Sequence, residues 1–511
     1  MASARVLYMP ASKQFWSAMA REFDNAGYSP VLWMGDWRHD DFGRREFPDC
    51  EILPIKSFHT TLSAKPVAHV PDAAILTSRE FLQLKNQAIK LMDRQDETRF
   101  FGRQERDAHF YSMFNHLYSS IVEHRVELLV AGEAPHHTAQ LIAYRICEML
   151  GIPTYHLVMN TMVPLLQVNR SIVGDPIPVV DGVDVSAHLT EIAKTFATYA
   201  EGIPTPVYMS NQARYDNSLA FLRRTIRYWA VIVAIRIREL FPSLIPPTND
   251  TGVRARYPFE KSRRRWLTPF RVESLRRHLV AEYESLAERI DLTAEGTPPF
   301  VYFPMPFEPE RTSLPDGGDY YDAMEALCAL RAYLPPDVHI FVKEHPSQFS
   351  RMLAGHKGRS QLSYRVIANL PNVHLVDLSV PSPSLVEHSQ FVAAISGTAA
   401  LEAALVGNKG VVFGRPWFSR LPGVSVFDEL PAYERFVTTA GVDLNAITAA
   451  TTRLTGFVYP GTISVSQRAY MNQLFGDRIP ELVNDDETAR ITVATITADF
   501  AATASTRGGR S

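Results

Sequence analysis

The sequence Ile-Ser-Gly-Thr-Ala-Ala-Leu-Glu, which begins at Ile395, carries the strongest chemical signal in the chain. A short apolar run ends there, small residues form a turn, and a helix-forming sequence follows. The free N–H groups of a first helical turn suit a phosphate, and Ser396, Gly397 and Thr398 supply hydroxyls and an open backbone. Glu402 follows one turn later and can accept hydrogen bonds from the hydroxyls of a ribose. A capped structural helix with Glu402 in solvent explains the same pattern.

The sequence Val-Lys-Glu-His-Pro, which ends at Pro346, directly follows another apolar run. Because the carboxyl ends of parallel strands meet at one edge of a sheet, we expect this turn beside the first one. Lys343 adds positive charge there. His345, whose ordinary pKa lies near neutrality, can donate a hydrogen bond to a phosphate or act as an acid towards a leaving phosphate. A structural histidine is the alternative interpretation.

A proline-rich turn, Phe-Glu-Pro-Glu-Arg-Thr, follows the first strand of the same region. Its charged residues Glu308, Glu310 and Arg311 can form one wall of a cleft, and Arg311 can contact a donor phosphate. A rigid linker with a surface ion pair is an equally good interpretation.

A further candidate lies in the N-terminal half, where Gly-Glu-Ala-Pro-His-His follows an apolar run. Glu133 would face the cleft and can serve as the base for an acceptor hydroxyl. His136 would stand beside it in the cleft wall. Two adjacent histidines do not form a metal site, because neighbouring side chains diverge. The alternative is that Glu133 caps the next helix.

Several catalytic signatures are absent from the sequence. It has no Gly-x-x-x-x-Gly-Lys-Ser/Thr run, no Gly-x-Ser-x-Gly elbow and no His-Glu-x-x-His motif, and no Gly-x-Gly-x-x-Gly opens a helix after the first strand. Its three cysteines, Cys50, Cys147 and Cys328, are too few and too scattered for a disulfide framework or a zinc site. These absences argue against NAD chemistry and against a zinc site, and no motif in the sequence points to a resident cofactor.

Alternating strand-like and helix-like runs position these turns. In the N-terminal part, strands are predicted near 5–9, 30–34, 127–131 and 152–158, and helices over 15–26 and 137–150. In the C-terminal part, strands are predicted over 299–304, 338–342, 373–376, 391–395 and 410–414, and helices over 319–334, 382–388 and 398–406. Strands spaced by helices indicate parallel sheets, so the sequence predicts an α/β protein with two Rossmann-like parallel-sheet domains facing a cleft.

A basic segment separates the two α/β parts. Residues 214–277 hold 15 Lys or Arg against 5 Asp or Glu, mixed with Trp, Tyr and Leu. This composition is typical of helices that lie on an anionic membrane surface, and a helical insert that packs by its apolar side explains it as well. The predicted divisions are an N-terminal Rossmann-like domain at 1–210, the basic helical insert at 211–295, a C-terminal Rossmann-like domain at 296–425 and a helical extension at 426–511 that packs back on the domains.

The net charge and the hydropathy of the chain bear on whether it binds nucleic acid or enters a membrane. The net charge is −3, so a globally basic nucleic-acid binder is not expected. No apolar run predicts a signal peptide or a membrane span. We therefore expect a cytoplasmic protein, with peripheral attachment to the inner membrane as a further option.

Taken in order, these motifs resemble those of bacterial capsule polysaccharide biosynthesis proteins. The resemblance covers about residues 299–425 well and 127–166 loosely. It rests on Phe-Glu-Pro-Glu-Arg-Thr (307–312), Pro-Asp-Gly-Gly (315–318), Val-Lys-Glu-His-Pro (342–346), Pro-Asn-Val (371–373) and Ser-Gly-Thr-Ala-Ala-Leu-Glu-Ala (396–403). The group is related to the capsular Kdo transferases, and the resemblance implies a glycosyltransferase of the GT-B architecture.

The resemblance implies a nucleotide-sugar donor site in the C-terminal domain and an acceptor site in the N-terminal domain. His345 and residues 396–398 would hold the donor phosphate, and Glu402 would hold the ribose. Such enzymes typically need no metal for chemistry, because a helix N-terminus and cationic donors offset the phosphate charge. At 407–410 the sequence reads Gly-Asn-Lys-Gly where the family usually has Gly-Lys-Pro, so the nucleotide stays open between CMP and UDP.

The sequence therefore predicts transfer of a sugar from a nucleotide sugar to a polysaccharide or a lipid-linked glycan of the bacterial surface. Glu133 would act as the base, while His345, Lys343 and the turn at 396–398 would stabilise the leaving phosphate. Three alternatives stay open: a nucleotide-sugar epimerase, a CDP-alditol phosphotransferase, and a catalytically inactive scaffold of capsule assembly.

Overall fold

The computed structural model describes most of the chain. The described residues are 3–508 except 36, 56–57, 59–66, 95, 97–98, 100, 136, 181, 204–215, 217–218, 220–221, 224, 231–232, 234–236, 238–267, 311 and 352. Two predicted site residues, His136 and Arg311, therefore lie outside the described residues. Much of the predicted basic insert also lies outside them.

In the described part of the chain, seven strands form the N-terminal sheet in the order β13-β6-β5-β4-β1-β2-β3. The strands are β1 Ala4–Met9, β2 Tyr28–Trp33, β3 Glu51–Ile52, β4 Leu128–Ala131, β5 Thr154–Met159, β6 Leu165–Asn169 and β13 Tyr459–Pro460. The first five run parallel, and β6 is antiparallel to both of its neighbours. All four residues of β4 are buried, as expected for a central strand covered on both faces.

Helices cover both faces of this sheet. They are α1 Phe15–Asn25, α2 Trp37–Glu46, α3 Ala73–Leu76, α4 Arg79–Leu91, α5 Arg103–Glu123, α6 Thr138–Met149 and α7 Ser186–Glu201. Trp16 and Phe23 pack in the core on one face. On the other face, Leu84, Phe110 and Phe114 belong to a second core. The two apolar layers explain why β1 and β4 read as apolar runs in the sequence.

Six parallel strands form the C-terminal sheet in the order β12-β11-β10-β7-β8-β9, within the described residues. They are β7 Phe300–Pro304, β8 His339–Lys343, β9 Val373–Leu375, β10 Val392–Ala394, β11 Gly410–Val412 and β12 Val424–Val426. The accompanying helices are α8 Thr268–Leu286, α9 Ala323–Tyr333, α10 Gln361–Ala368, α11 Ser382–His388, α12 Ala399–Leu405, α13 Tyr433–Thr438 and α14 Leu444–Ala450.

These two sheets confirm the predicted fold class. The chain order reverses between the neighbouring strands β7 and β10, so the loops that follow them diverge at the sheet edge. In open α/β sheets such a reversal is where ligands bind.

The last part of the chain returns to the N-terminal sheet. It contains β13 and the helices α15 Val465–Phe475, α16 Ile479–Leu482 and α17 Asp485–Gly508. Trp16 donates its indole N–H to the carbonyl of Ile463 at 2.8 Å, and the Tyr155 hydroxyl donates to the Asp499 carboxylate at 2.6 Å. The predicted division into four parts stays a prediction, but the final segment is built into the N-terminal core.

Among the described helices, none combines the length and the apolar character needed to cross a membrane.

Candidate active site

A cleft of about 600 Å³ lies between the two sheets. Its lining comes from the carboxyl ends of β1 and β4, the loop after β7 and the first turn of α15. Among the lining residues are Ser12, Glu133, His137, Glu310, Thr312 and Gln467. The cleft therefore sits at the edge where the carboxyl ends of the N-terminal strands meet the proline-rich turn of the C-terminal sheet.

Glu133 and Glu310, both predicted cleft residues, line this cleft from opposite sheets. Glu133 follows β4 and is half-buried, whereas Glu310 is exposed. Gly132 brings the end of β4 against the loop after β1, since a Cβ atom there would lie only 2.6 Å from the backbone nitrogen of Ala11. The close approach of these two loops places the Glu133 backbone at the cleft.

The small-residue turn after β10 is bonded to the cleft wall. Ser396 donates its hydroxyl to the carbonyl of Thr312, which lines the cleft. Thr398 donates its hydroxyl to the Glu402 carboxylate at 2.8 Å. Burial raises the pKa of Glu402, and the hydrogen bond from Thr398 opposes that shift. Because both hydroxyls donate within the protein, the groups left for a ligand at this turn are the backbone N–H groups at the start of α12.

Lys343 is engaged in hydrogen bonds with the loop at 380–382. Its ammonium donates to the carbonyl of Val380 at 2.5 Å and to the Ser382 hydroxyl at 3.1 Å. The side chain is 5% exposed, and burial lowers its pKa to about 8, although the Asp377 carboxylate opposes this shift. The expectation that Lys343 contacts a phosphate is corrected, because its charge is used to hold the loop at 380–382.

His345 caps the short helical turn that begins at Pro346. Its Nδ1 accepts the backbone N–H of Ser347 at 3.1 Å, which assigns the ring proton to Nε2. Burial and the charge of Arg359 lower its pKa to about 4. The imidazole is therefore neutral near pH 7 in this structure, and in that state it donates a hydrogen bond from Nε2 and carries no acidic proton; its predicted role as an acid stays a prediction.

Glu308 lies in a buried ion network and not in the cleft wall. Arg359 reaches Glu308 with Nη1 at 2.7 Å and Glu344 with Nε at 2.9 Å. All three side chains are at most 4% exposed. The prediction of Glu308 as a wall residue is corrected, because a buried carboxylate needs a charge partner and the guanidinium supplies it.

Neighbouring groups complete this network. Tyr364 donates its hydroxyl to Glu344 at 2.7 Å, and the backbone N–H of His345 donates to the other oxygen of Glu344 at 2.9 Å. Burial opposes the charge of Arg359, but the carboxylates of Glu344 and Glu308 raise its pKa, so it remains a cation. Glu344 thus links the arginine to the backbone of His345.

A polar stripe on α4 and the turn after it, here called the α4 stripe, bonds the two sheets together. It consists of Gln83, Gln87, Lys90 and Arg94, which contact Asp319, the Gly318 carbonyl, Asp322 and the Leu314 carbonyl at 2.6–3.2 Å. Lys90 also lies 3.5 Å from Glu308. The N-terminal sheet therefore holds the loop that follows β7.

Sequence reasoning did not find Arg359 or the residues of the α4 stripe. The stripe repeats at helical spacing, and this pattern is also typical of a solvated face. Arg359 carries no local signal, because its partners come from two other loops.

All three cysteines are free, and no group of three or more His, Cys, Asp or Glu among the described residues is placed to hold a metal.

Residues 313–454 match the model of a family described as capsule polysaccharide biosynthesis protein. This match confirms the resemblance in its C-terminal segment, which includes His345, the turn at 396–398 and Glu402. No curated protein matches the chain.

Three solved structures show distant likeness. The KpsC beta Kdo 2,7 transferase of Thermosulfurimonas dismutans is 11% identical with a TM-score of 0.26, covering 73% of this chain and 98% of that one. A UDP-GlcNAc 2-epimerase of Neisseria meningitidis bound to UDP-GlcNAc is 11% identical with a TM-score of 0.21, covering 97% and 100%. MurG of Acinetobacter baumannii is 11% identical with a TM-score of 0.20, covering 87% and 92%. TM-scores this low carry no inference about function.

Replacing Arg359 by methionine is expected to lower the free energy of unfolding by about 3–5 kcal/mol, because two carboxylates would stay buried without a partner. The measurement is urea unfolding at pH 7. The matched control is Arg365→Met, since Arg365 pairs with Glu282 but its side chain is 62% exposed. The control is expected to cost at most about 1 kcal/mol. Equal losses in the two variants would contradict the buried network. If Arg359→Met does not fold, Glu308→Gln provides a milder test.

The pKa of His345 predicts a pH dependence of stability. Since the folded pKa is about 4 and the unfolded value is about 6.5, the unfolded chain binds more protons between these pH values. The free energy of unfolding should therefore fall as the pH drops through this window and be fully recovered above it. In His345→Asn, which keeps an acceptor for Ser347, the loss between pH 7.5 and pH 5 should be smaller.

The control for this measurement is His388→Asn, which removes an exposed histidine from α11. It should lose as much stability on acidification as the unmodified protein does. An identical pH profile for His345→Asn and the unmodified protein would show that the ring is not held neutral.

Proposed function

We propose that this protein is a glycosyltransferase that moves a sugar from a nucleotide-sugar donor to a polysaccharide or glycolipid acceptor of the bacterial surface. The observation that carries the proposal is the cleft, which joins the carboxyl ends of two parallel sheets and holds Glu133 on one side. The C-terminal sheet on the other side lies largely in the segment that matches the capsule family. The cleft volume is within the range of small-molecule sites.

On the acceptor side, the proposed base is Glu133. Its carboxylate would take the proton from an acceptor hydroxyl, whose oxygen then attacks the anomeric carbon of the donor sugar. The bond from that carbon to the nucleotide phosphate breaks, and the phosphate leaves with the bonding electrons. General base catalysis of this kind contributes roughly 10²- to 10⁴-fold in rate.

On the donor side, the proposed phosphate ligands are neutral hydrogen-bond donors. His345 offers Nε2–H, and the start of α12 offers backbone N–H groups beside Gly397 and Thr398. Negative charge grows on the phosphate as the bond breaks, so these donors stabilise the transition state more than the bound donor. Glu402 keeps one oxygen beyond its bond to Thr398, which is the atom proposed for the ribose. The scheme assigns no step to a metal or a cofactor.

We place the reaction on the cytoplasmic side of the inner membrane, where a nucleotide sugar and a lipid-linked acceptor can meet.

The three alternative functions differ in the substrates that they require. An epimerase would convert a nucleotide sugar without an acceptor, a phosphotransferase would need a CDP-alditol, and an inactive scaffold would bind no nucleotide.

The donor site predicts that one nucleotide among CMP, UDP, GDP, CDP and dTDP stabilises the protein against thermal unfolding. A ligand at 100 times its dissociation constant adds about 2.7 kcal/mol. The variants His345→Ala and Glu402→Ala should show a smaller shift, whereas His388→Ala should respond like the unmodified protein. A folded protein that responds to none of the five nucleotides would contradict the proposal and favour the scaffold.

The acceptor site predicts that Glu133→Gln lowers the rate of sugar transfer by roughly 10²- to 10⁴-fold, because an amide cannot accept the acceptor proton. The nucleotide found above should bind with its affinity unchanged. Glu127→Gln is the matched control, since Glu127 lies just before β4 at the opposite end of the same strand and contacts the backbone of Arg5. A Glu133→Gln variant with unchanged turnover would remove Glu133 from the mechanism.

A further inference from the structure

Five large apolar side chains before α8 form an exposed stripe, here called the outer stripe. They recur at spacings of three, four or seven residues, as one face of a helix requires. The described residues at 222–223, 225–230, 233 and 237 are helical. The outer stripe consists of Leu219 (73% exposed), Leu222 (54%), Ile226 (58%), Val233 (39%) and Ile237 (48%). Several large apolar side chains left exposed on one short segment are typical of an interaction surface.

Two contacts hold this segment against the rest of the protein. The backbone N–H of Arg351 donates to the Asp216 carboxylate at 3.0 Å. The ring of Trp229 lies 5.7 Å from the ring of Phe270 in α8. Trp229 follows Leu222 by seven residues, so its half-buried ring lies on the same helix face and α8 covers part of that face. The stripe residues themselves stay 39–73% exposed, so this part of the face is left uncovered by the described residues.

The positively charged residues beside the outer stripe indicate what kind of surface it binds. Arg223 and Arg227 are exposed and each follows a stripe residue directly in the sequence. They belong to a stretch, 214–277, with 15 Lys or Arg against 5 Asp or Glu in a chain of net charge −3. A second copy of the chain would bring the same positive charge against itself. A surface of anionic lipid headgroups over acyl chains complements both the arginines and the apolar stripe.

We propose that the outer stripe, with Arg223 and Arg227, docks this protein on an anionic lipid membrane. The apolar side chains enter the boundary between headgroups and acyl chains, and the guanidinium groups contact lipid phosphates. The proposal deepens the proposed function and rests on it in one respect, because it holds the protein at the membrane where a lipid-linked acceptor resides. The docking itself does not depend on donor chemistry.

The test is co-sedimentation of the full chain with vesicles of phosphatidylglycerol and phosphatidylcholine, and with vesicles of phosphatidylcholine alone. We expect binding to the anionic vesicles that weakens at high salt, and little binding to the neutral ones. Arg223→Gln with Arg227→Gln should lower the partition coefficient roughly 30-fold, since each basic residue near such a surface contributes about a fivefold factor. Leu222→Ser with Ile226→Ser should lower it by at least about tenfold.

Matched controls remove similar side chains elsewhere on the surface. Leu362→Ser with Val366→Ser changes two apolar residues of α10 that are 66% and 49% exposed. Arg44→Gln with Arg45→Gln changes two exposed arginines of α2. Both controls should bind vesicles like the unmodified protein, and thermal unfolding checks that every variant folds.

Three outcomes would overturn the docking proposal. The first is failure of the unmodified protein to bind anionic vesicles, and the second is binding of the stripe variants equal to that of the controls. The third is self-association, measured by light scattering, that Leu222→Ser with Ile226→Ser abolishes, which would assign the stripe to a second copy. Failure of the proposed function is distinguishable, since a protein that binds no nucleotide can still bind the vesicles.

Discussion

The buried guanidinium of Arg359 holds together two loops at the carboxyl edge of the C-terminal sheet. It is buried between Glu308 and Glu344, which lie in the loops after β7 and β8. A buried charge is costly unless an opposite charge lies beside it, and here the guanidinium and the two carboxylates neutralise one another. The two loops cannot separate without leaving a charge alone in the interior. The positions of His345 and the proline-rich turn follow from that constraint, because Glu344 and Glu308 are their neighbours in the chain.

The same network fixes one line of contact between the two sheets. Lys90 lies 3.5 Å from Glu308, and the rest of the α4 stripe bonds the residues that follow in the loop. The two sheets also share an apolar core, in which Val163 packs in one cluster with Leu401 and Trp417. Sliding one sheet along the other would break the bonds of the α4 stripe and disrupt this core as well.

The sequence predicted backbone positions better than side-chain partners. The alternation of apolar runs placed β10 and α12 within a residue or two, because periodicity and small turn residues are local signals. It placed Glu133 and Glu310 at one cleft for the same reason. It could not show that Lys343 bonds the loop at 380–382, since the end of a strand fixes the Cα atom and not the contacts of the side chain. Arg359 escaped notice because its burial is decided by two distant loops, and β13, with two residues, has no period to detect.

The charge states of Glu133, which lines the cleft, and of His345, which is not among its lining residues, bear on the proposed chemistry. A carboxyl group must be ionised to accept a proton, whereas a hydrogen-bond donor to a leaving phosphate must keep its own proton. Glu133 is half-buried at the cleft, while His345 is held neutral on the other sheet by burial and by the positive charge of Arg359. A neutral imidazole does not neutralise a nearby carboxylate by proton transfer, and its Nε2–H stays available as charge develops on a phosphate. The buried arginine thus serves the proposed reaction at a distance, because its charge adds to the effect of burial in keeping the histidine neutral.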